Sequence, residues 1–132
     1  MVERRVLGTV VDTRTKIVAP DTLASGEAQV HAAKGWFDVL TSEHCELLEQ
    51  ARPANRKLLV LVYRETEDRP APLPAYDRAQ MVAALACVDL VCITDASEAD
   101  AIIASVGAEP ALDMDASQSR DVVRHVIATQ RG

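Results

Sequence analysis

From about residue 28 onward, short apolar segments typical of strands alternate with segments that have the periodicity of amphipathic helices. The clearest strand candidate, residues 57–63, is apolar along almost its whole length, as expected of a strand covered on both faces. Strands that alternate with helices pair in parallel through right-handed crossovers. The alternation therefore predicts an α/β fold over residues 28–132, a three-layer α/β/α sandwich with a parallel Rossmann-like sheet, preceded by a lead-in segment at residues 1–27.

Four strands and four helices are expected in this domain. The strands are predicted at residues 29–33, 57–63, 88–93 and 111–114. Apolar side chains at three- and four-residue spacing predict helices near His44, near Arg78, from Ser97 with Asp100 in a capping box, and after Ser117 or Ser119. In the lead-in segment, residues 6–11 favour an extra strand and Pro20 a short helix. Residues 64–76 form a proline-rich loop that either covers a ligand or only connects two elements.

Composition and charge exclude several classes of function. The net charge of −6 and the aromatic content of 3% argue against a nucleic-acid surface, which needs basic residues and stacking rings. The apolar runs are too short to cross a membrane and no secretory signal is evident, so we expect a cytoplasmic protein. Three cysteines without a C-x-x-C pair, with scattered histidines, give no metal-ligand pattern, so no metal site is predicted.

The turn after the first predicted strand carries the most informative motif, because ligands of parallel α/β sheets bind at the carboxyl ends of the strands. It has the sequence G-W-F-D at residues 35–38 and leads into a helix that begins T-S-E-H at residues 41–44. This pattern resembles the cytidylyltransferase-like nucleotidyltransferase family, whose hallmark is a G-x-F-D loop followed by a His-x-Gly-His motif at a helix start. The resemblance extends over about residues 16–112. It is nearest to heptose-phosphate adenylyltransferases and glycerol-3-phosphate cytidylyltransferases.

The resemblance implies attack of a phosphate monoester on the α-phosphorus of CTP or ATP, with Mg²⁺ as cofactor and release of pyrophosphate. The implied partners are a nucleoside triphosphate and a small phosphorylated metabolite. The implied catalytic positions are His44, at the second histidine of the motif, and Thr41, at the first. The implied nucleotide-binding positions are Gly35, Trp36, Phe37, Asp38, Arg78 and Ser119.

Two departures from the family motif bear on this chemistry. Thr41 can donate one hydrogen bond but carries no positive charge, so a transition-state contact worth about 2–4 kcal/mol is weakened or lost. Glu43 replaces the glycine, and its carboxylate either repels phosphate groups or simply meets the positive end of the helix dipole. Lys34, just before the turn, is an additional phosphate candidate.

Most of the candidate residues also have a structural interpretation. His44 lies on the apolar face of its helix, so a packed core histidine and a phosphate donor are equally good interpretations. Trp36 either stacks on a base or covers the end of the sheet, and covering is preferred. Arg78 either binds phosphate or forms a surface ion pair with Asp77, and Ser119 is better explained as an ordinary helix cap.

Three hypotheses from different classes follow. The first is an active nucleotidyltransferase that makes a CDP- or ADP-activated metabolite. The second is a nucleotide-binding regulator that keeps the pocket without the chemistry. The third is a structural or partner-binding protein, as a homodimer in one form, in which Glu43 and Trp36 fill the former site and no cofactor is needed.

Overall fold

Four parallel strands form the centre of the structure, a computed structural model that describes residues 12–23, 30–38, 40–52 and 56–114. The strands are β1 (Val30–Gly35), β2 (Lys57–Tyr63), β3 (Leu90–Thr94) and β4 (Glu109–Asp113), in the order β3-β2-β1-β4. Every neighbouring pair is parallel, which confirms the predicted parallel α/β sheet. The strand order changes direction between β1 and β4, and in such sheets the ligand crevice lies at the carboxyl ends of the strands at that point.

Helices cover both faces of the sheet. They are α1 (Ser42–Ala51), α2 (Ala75–Ala83) and α3 (Ala99–Ser105), with short 3-10 turns at Thr13–Lys16, Pro20–Thr22 and Ala96–Glu98. On one face, Leu48 of α1 and Val82 of α2 share a buried cluster with Leu58 of β2. On the other face, Ile103 of α3 shares a second cluster with Leu59. Successive residues of β2 therefore point to opposite clusters, and the strand is buried on both faces as its sequence predicts.

The structure corrects the predicted start of α3. A 3-10 turn precedes the helix, Glu98 occupies its N-cap position, and no side-chain capping bond forms there. The predicted capping box of Ser97 and Asp100 is therefore wrong. Asp100 instead pairs with Lys34 at the end of β1, with 2.7 Å between the carboxylate Oδ1 and Nζ.

The lead-in segment covers the outer edge of β3. Ile17 forms an isolated parallel bridge with Val91, and the amide of Val18 donates to the carbonyl of Val91 at 2.9 Å. An open strand edge is a template for unwanted pairing, so this contact protects the sheet. The short helix expected near Pro20 is present as the 3-10 turn Pro20–Thr22.

Some predictions lie outside the described residues. These are the strand at residues 6–11, the helix after Ser117, and Ser119 as a nucleotide-binding residue. Among the residues that are described, no helix has both the length and the apolar character needed to span a membrane.

Candidate functional site

The turn that follows β1 lies at the centre of the candidate site. Phe37 has a φ of 50°, in the left-handed region that residues other than glycine seldom adopt, while its side chain is buried. Burial of the ring holds a backbone conformation that costs on the order of 1–3 kcal/mol. Gly35 is also buried, and the half-buried ring of Trp36 meets Tyr63 edge-on, with centroids 5.2 Å apart. The turn is therefore strained and packed, a combination that often marks ligand sites.

The first turn of α1 is closed by a reciprocal capping box. Thr41 is the N-cap, and its Oγ1 accepts from the amide of His44 at 3.3 Å. In return, the amide of Thr41 donates to Nδ1 of His44 at 3.1 Å. The His44 ring is 6% exposed and meets Phe37 edge-on, with centroids 5.7 Å apart. His44 is thus packed into the structure and also fixed in direction by the helix cap.

This cap determines which nitrogen of His44 carries a proton. Because Nδ1 accepts from the Thr41 amide, the neutral ring has its proton on Nε2. A fixed tautomer with an N–H at Nε2 is a hydrogen-bond donor of defined direction. Thr41, the second predicted catalytic residue, uses its hydroxyl oxygen as an acceptor in the cap.

The start of α1 presents one exposed carboxylate, that of Glu43, and two backbone amides to a ligand. Glu43 is exposed, so it does not fill the cleft as the third hypothesis requires of it. Its carboxylate lies in the first turn, where it favours the positive end of the helix dipole. Among the described residues, no acceptor is found for the amides of Ser42 and Glu43. Two backbone donors therefore remain at this helix start, beside the cap.

Arg78 is the structural centre of the carboxyl edge of the sheet. It is completely buried, and its guanidinium donates to the carbonyls of Trp36 at 2.6 Å, Tyr63 at 2.8 Å and Leu73 at 2.9 Å. It also pairs with Glu65, with 3.3 Å between Nη2 and Oε1. One side chain thus ties the turn after β1 to the end of β2 and to the loop that leads into α2.

The location of Arg78 changes the expectation drawn from sequence. The predicted surface ion pair between Arg78 and Asp77 is wrong, because Arg78 lies in the interior and pairs with Glu65. Only the Arg78 partner is buried, since the Glu65 side chain is 33% exposed, and a buried charge that loses its partner costs about 3–5 kcal/mol. Arg78 is therefore committed to the fold, and its guanidinium positions the turn that carries the other candidate residues.

Glu65 links this arginine to the start of α2. Its Oε1 accepts from the amide of Ala75 at 3.2 Å and from Arg78. The pKa of the Glu65 carboxyl lies below its ordinary value, first because its own backbone amide donates to it, and further because of the Ala75 amide and the Arg78 charge. The ionised carboxylate is thus the form that the fold stabilises.

Arg69 reaches the same turn from the solvent side. Residues 66–69 form a tight turn in which the Thr66 and Arg69 backbones exchange hydrogen bonds of 3.0 and 3.2 Å. The Arg69 guanidinium pairs with Asp38 at 2.8 Å and lies 4.4 Å from the centroid of the Trp36 ring. The Arg69 side chain is 43% exposed, so the ion pair is worth about 0–1 kcal/mol and the cation–π contact about 0.5–1 kcal/mol.

Other cations near this edge are paired with carboxylates. Lys34 pairs with Asp100 at 2.7 Å, and Arg64 pairs with Asp95 at 2.8 Å. Lys34, expected as a phosphate candidate, therefore joins β1 to the start of α3. Its side chain is only 17% exposed, which restricts its reach.

The predicted site residues fall into three groups. Trp36, Phe37, Asp38, Thr41 and His44 come together in the turn and the first turn of α1, while Gly35 and Arg78 lie beneath that turn. Ser119 lies outside the described residues.

Sequence reasoning missed Arg69 as a neighbour of the site. The signal was a basic residue in a loop that follows a buried parallel strand, since such loops gather at the ligand edge of the sheet.

A resident metal would need a cluster of ligands at this edge. In residues 12–23, 30–38, 40–52 and 56–114, no group of three or more histidine, cysteine, aspartate or glutamate side chains is placed to hold an ion. The carboxylate of Asp38 is already paired with Arg69.

A parallel sheet that changes direction beside β1, with a capped helix start at the carboxyl end of that strand, defines a Rossmann-like α/β fold of the nucleotidyltransferase type. The cytidylyltransferase-like family model matches residues 32–128, and the chain belongs to that family. This confirms the resemblance inferred from residues 35–44. The chain is also similar to the FAD synthase of Methanohalophilus mahii, at 45% identity over 60 residues. That match covers 43% of this chain and 42% of the relative, less than half of each.

Proposed function

We propose that this chain binds a nucleoside triphosphate, CTP or ATP, over the start of α1 and transfers its nucleotidyl group to a small phosphorylated metabolite. The observation that supports this most is the helix start itself. There, the amides of Ser42 and Glu43 lie beside His44, whose tautomer is fixed by the cap. Backbone amides at a helix N-terminus and a fixed ring N–H are donors suited to phosphate oxygens.

In the proposed reaction, the phosphate oxygen of the acceptor attacks the α-phosphorus and pyrophosphate leaves. The α-phosphorus oxygens gain charge in the transition state, and His44 Nε2 and the helix amides stabilise that charge. Arg78 acts as a positioning residue, because it fixes the carbonyls of the turn rather than touching the nucleotide. Bound Mg²⁺ would neutralise charge on the triphosphate.

The choice of nucleotide rests on the similarity to the FAD synthase of M. mahii. The M. mahii protein is named as a synthase of FAD, which is an adenine dinucleotide. This favours ATP as the first nucleotide to test, followed by CTP. The acceptor to test first is a small sugar or polyol phosphate, with a flavin phosphate as the comparison.

Isothermal titration calorimetry with ATP and CTP, each with and without Mg²⁺, tests the binding step. We expect saturable binding by the wild type and a loss of affinity of about tenfold or more in His44→Ala, since a hydrogen bond to a charged group is removed. Cys45→Ala, on the next residue of α1, is the matched control and should bind normally. Absence of heat with every nucleotide would contradict the proposal.

A second candidate is nucleotide binding without transfer, in a regulatory protein or pseudoenzyme. It is favoured by Thr41, whose Oγ1 is used in the cap and which cannot supply the charge of the family's first histidine. Pyrophosphate release by the double variant Thr41→His with Glu43→Gly, which restores the family motif, separates the two candidates. Turnover that appears only in the double variant would identify the natural chain as a binding protein.

A homodimer is one form of the third hypothesis, a structural or partner-binding protein. Three large apolar side chains are well exposed on α2 and just before it: Leu73, Tyr76 and Met81. Sedimentation of the wild type and of Met81→Lys would test whether this surface joins two copies.

A further inference from the structure

Arg69 occupies the outer side of the turn after β1, where it pairs with Asp38 and lies over the Trp36 ring. The exposed residues Ser42 and Glu43 follow this turn at the start of α1. A nucleotide that binds the amides of these two residues and stacks on Trp36 therefore has to displace Arg69. Two arginines hold the loop of residues 64–74 to the turn, and they differ in how easily each can be released.

The contacts of Arg78 cannot be released without loss of the fold. Its guanidinium is fully buried and donates to carbonyls of β2, of the turn after β1 and of the loop. Arg69, in contrast, holds the loop from outside through Asp38 and Trp36, and 43% of its side chain faces solvent. Water and ions can replace both of these contacts.

We propose that Arg69 is a latch that closes the loop over the candidate site, and that binding of a nucleotide requires its release from Asp38 and Trp36. The proposal rests on the proposed function, because it concerns access to the same site. The loop moves about Arg78, which stays in place and keeps the turn in register. Asp38 and the Trp36 ring thus serve as an internal binding site for the guanidinium.

The latch predicts whether a mutation raises or lowers the affinity for a nucleotide. When only a fraction of the molecules is open, the apparent affinity is reduced by that fraction. Arg69→Gln removes the charge and the stacking cation, and Asp38→Asn removes the ion pair, so both variants should be open more often. We expect each to bind ATP about three- to tenfold more tightly than the wild type, as expected for loss of a weak exposed contact.

The control is Arg64→Gln. Arg64 lies in the same loop and is also exposed, but it pairs with Asp95 and not with the turn. Its affinity should stay within about twofold of the wild type, because a rim ion pair contributes little. Circular dichroism and urea unfolding check that all three variants fold.

A second measurement reports the latch without any ligand. Trp36 is the only tryptophan of the chain, so quenching of its fluorescence by neutral acrylamide reports exposure of that one ring. Arg69→Gln and Asp38→Asn should increase the quenching constant, whereas Arg64→Gln should not.

The possible results separate the latch from the proposed function. Tighter binding with higher quenching in the two latch variants supports the latch. Binding by the wild type that is unchanged or weakened in Arg69→Gln overturns the latch and leaves nucleotide binding intact. Failure of the wild type and of both latch variants to bind ATP or CTP overturns the proposed function and the latch together.

Discussion

The two ends of the sheet are built in different ways. At the carboxyl end, charged side chains bond to the backbone of the turns, and Phe37 holds a strained conformation. At the amino end, a cavity of about 190 Å³ is lined mainly by apolar side chains, among them Val30, Leu59 and Leu90. The carboxyl end therefore depends on directional polar contacts that converge on Arg78. The amino end combines the apolar cavity with one smaller polar network, in which Asp89 accepts from the amide of Leu58 at 2.8 Å and from Arg52 at 2.9 Å.

This difference separates the parts of the molecule that fix the fold from those that can recognise a ligand. Hydrogen bonds to turn backbone set the positions of the donors that a phosphate would meet. Apolar packing contributes free energy without direction, in proportion to buried area. Mutations at the two ends should consequently have different signatures: loss of stability alone at the amino end, and coupled changes in stability and binding at the carboxyl end.

Replacement of Arg78 should have the largest effect. Arg78→Met removes the charge and deprives three backbone carbonyls and the Glu65 carboxylate of the donor that Arg78 supplies, so we expect a loss of about 3–5 kcal/mol of unfolding free energy. Urea unfolding followed by circular dichroism measures it. Arg64→Gln serves as the exposed comparison and should change the value by less than about 1 kcal/mol. Equal losses of unfolding free energy in the two variants would contradict the distinction between the buried Arg78 and the exposed Arg64.

Truncation of an apolar side chain at the amino end should cost less unfolding free energy than replacement of Arg78. It should leave nucleotide binding unchanged. Leu59 is 1% exposed and lines the cavity, so Leu59→Ala should lower the unfolding free energy by about 2–4 kcal/mol. The affinity for ATP, measured at a temperature where the variant is folded, should match that of the wild type. A parallel loss of affinity would show that the two ends are energetically coupled.

The sequence was sufficient for the elements that depend on local pattern. The continuous apolar run of β2 predicts burial on both faces, because few other elements are covered on every side. The G-W-F-D turn and the helix that begins near His44 were located for a similar reason: glycine and helix-start residues are specified within a few positions.

The partners of individual side chains were not predictable in this way. The burial of Arg78 depends on carbonyls contributed by Trp36, Tyr63 and Leu73, which come together only after three elements have packed. The same limit applies to Arg69, since nothing near it in the sequence indicates that Asp38 is its partner. The sequence alone does not distinguish a charged residue at the surface from one in a network of long-range contacts.

The smallest expected effect concerns the titration of Glu65. Its folded-state pKa lies below the ordinary value of 4.5, so the carboxylate contributes stability that is fully present above 4.5 and is lost as the pH falls through the folded value. Glu65→Gln keeps an acceptor for Ala75 but cannot gain from deprotonation. The difference in unfolding free energy between wild type and variant should therefore be constant from about pH 7 to about pH 5 and should shrink at lower pH. Glu67→Gln, in the exposed part of the same loop, controls for the removal of a charge. A difference that stays constant into the acid range would show that the Glu65–Arg78 pair does not contribute through ionisation, and that hydrogen bonding alone ties the loop to the carboxyl end.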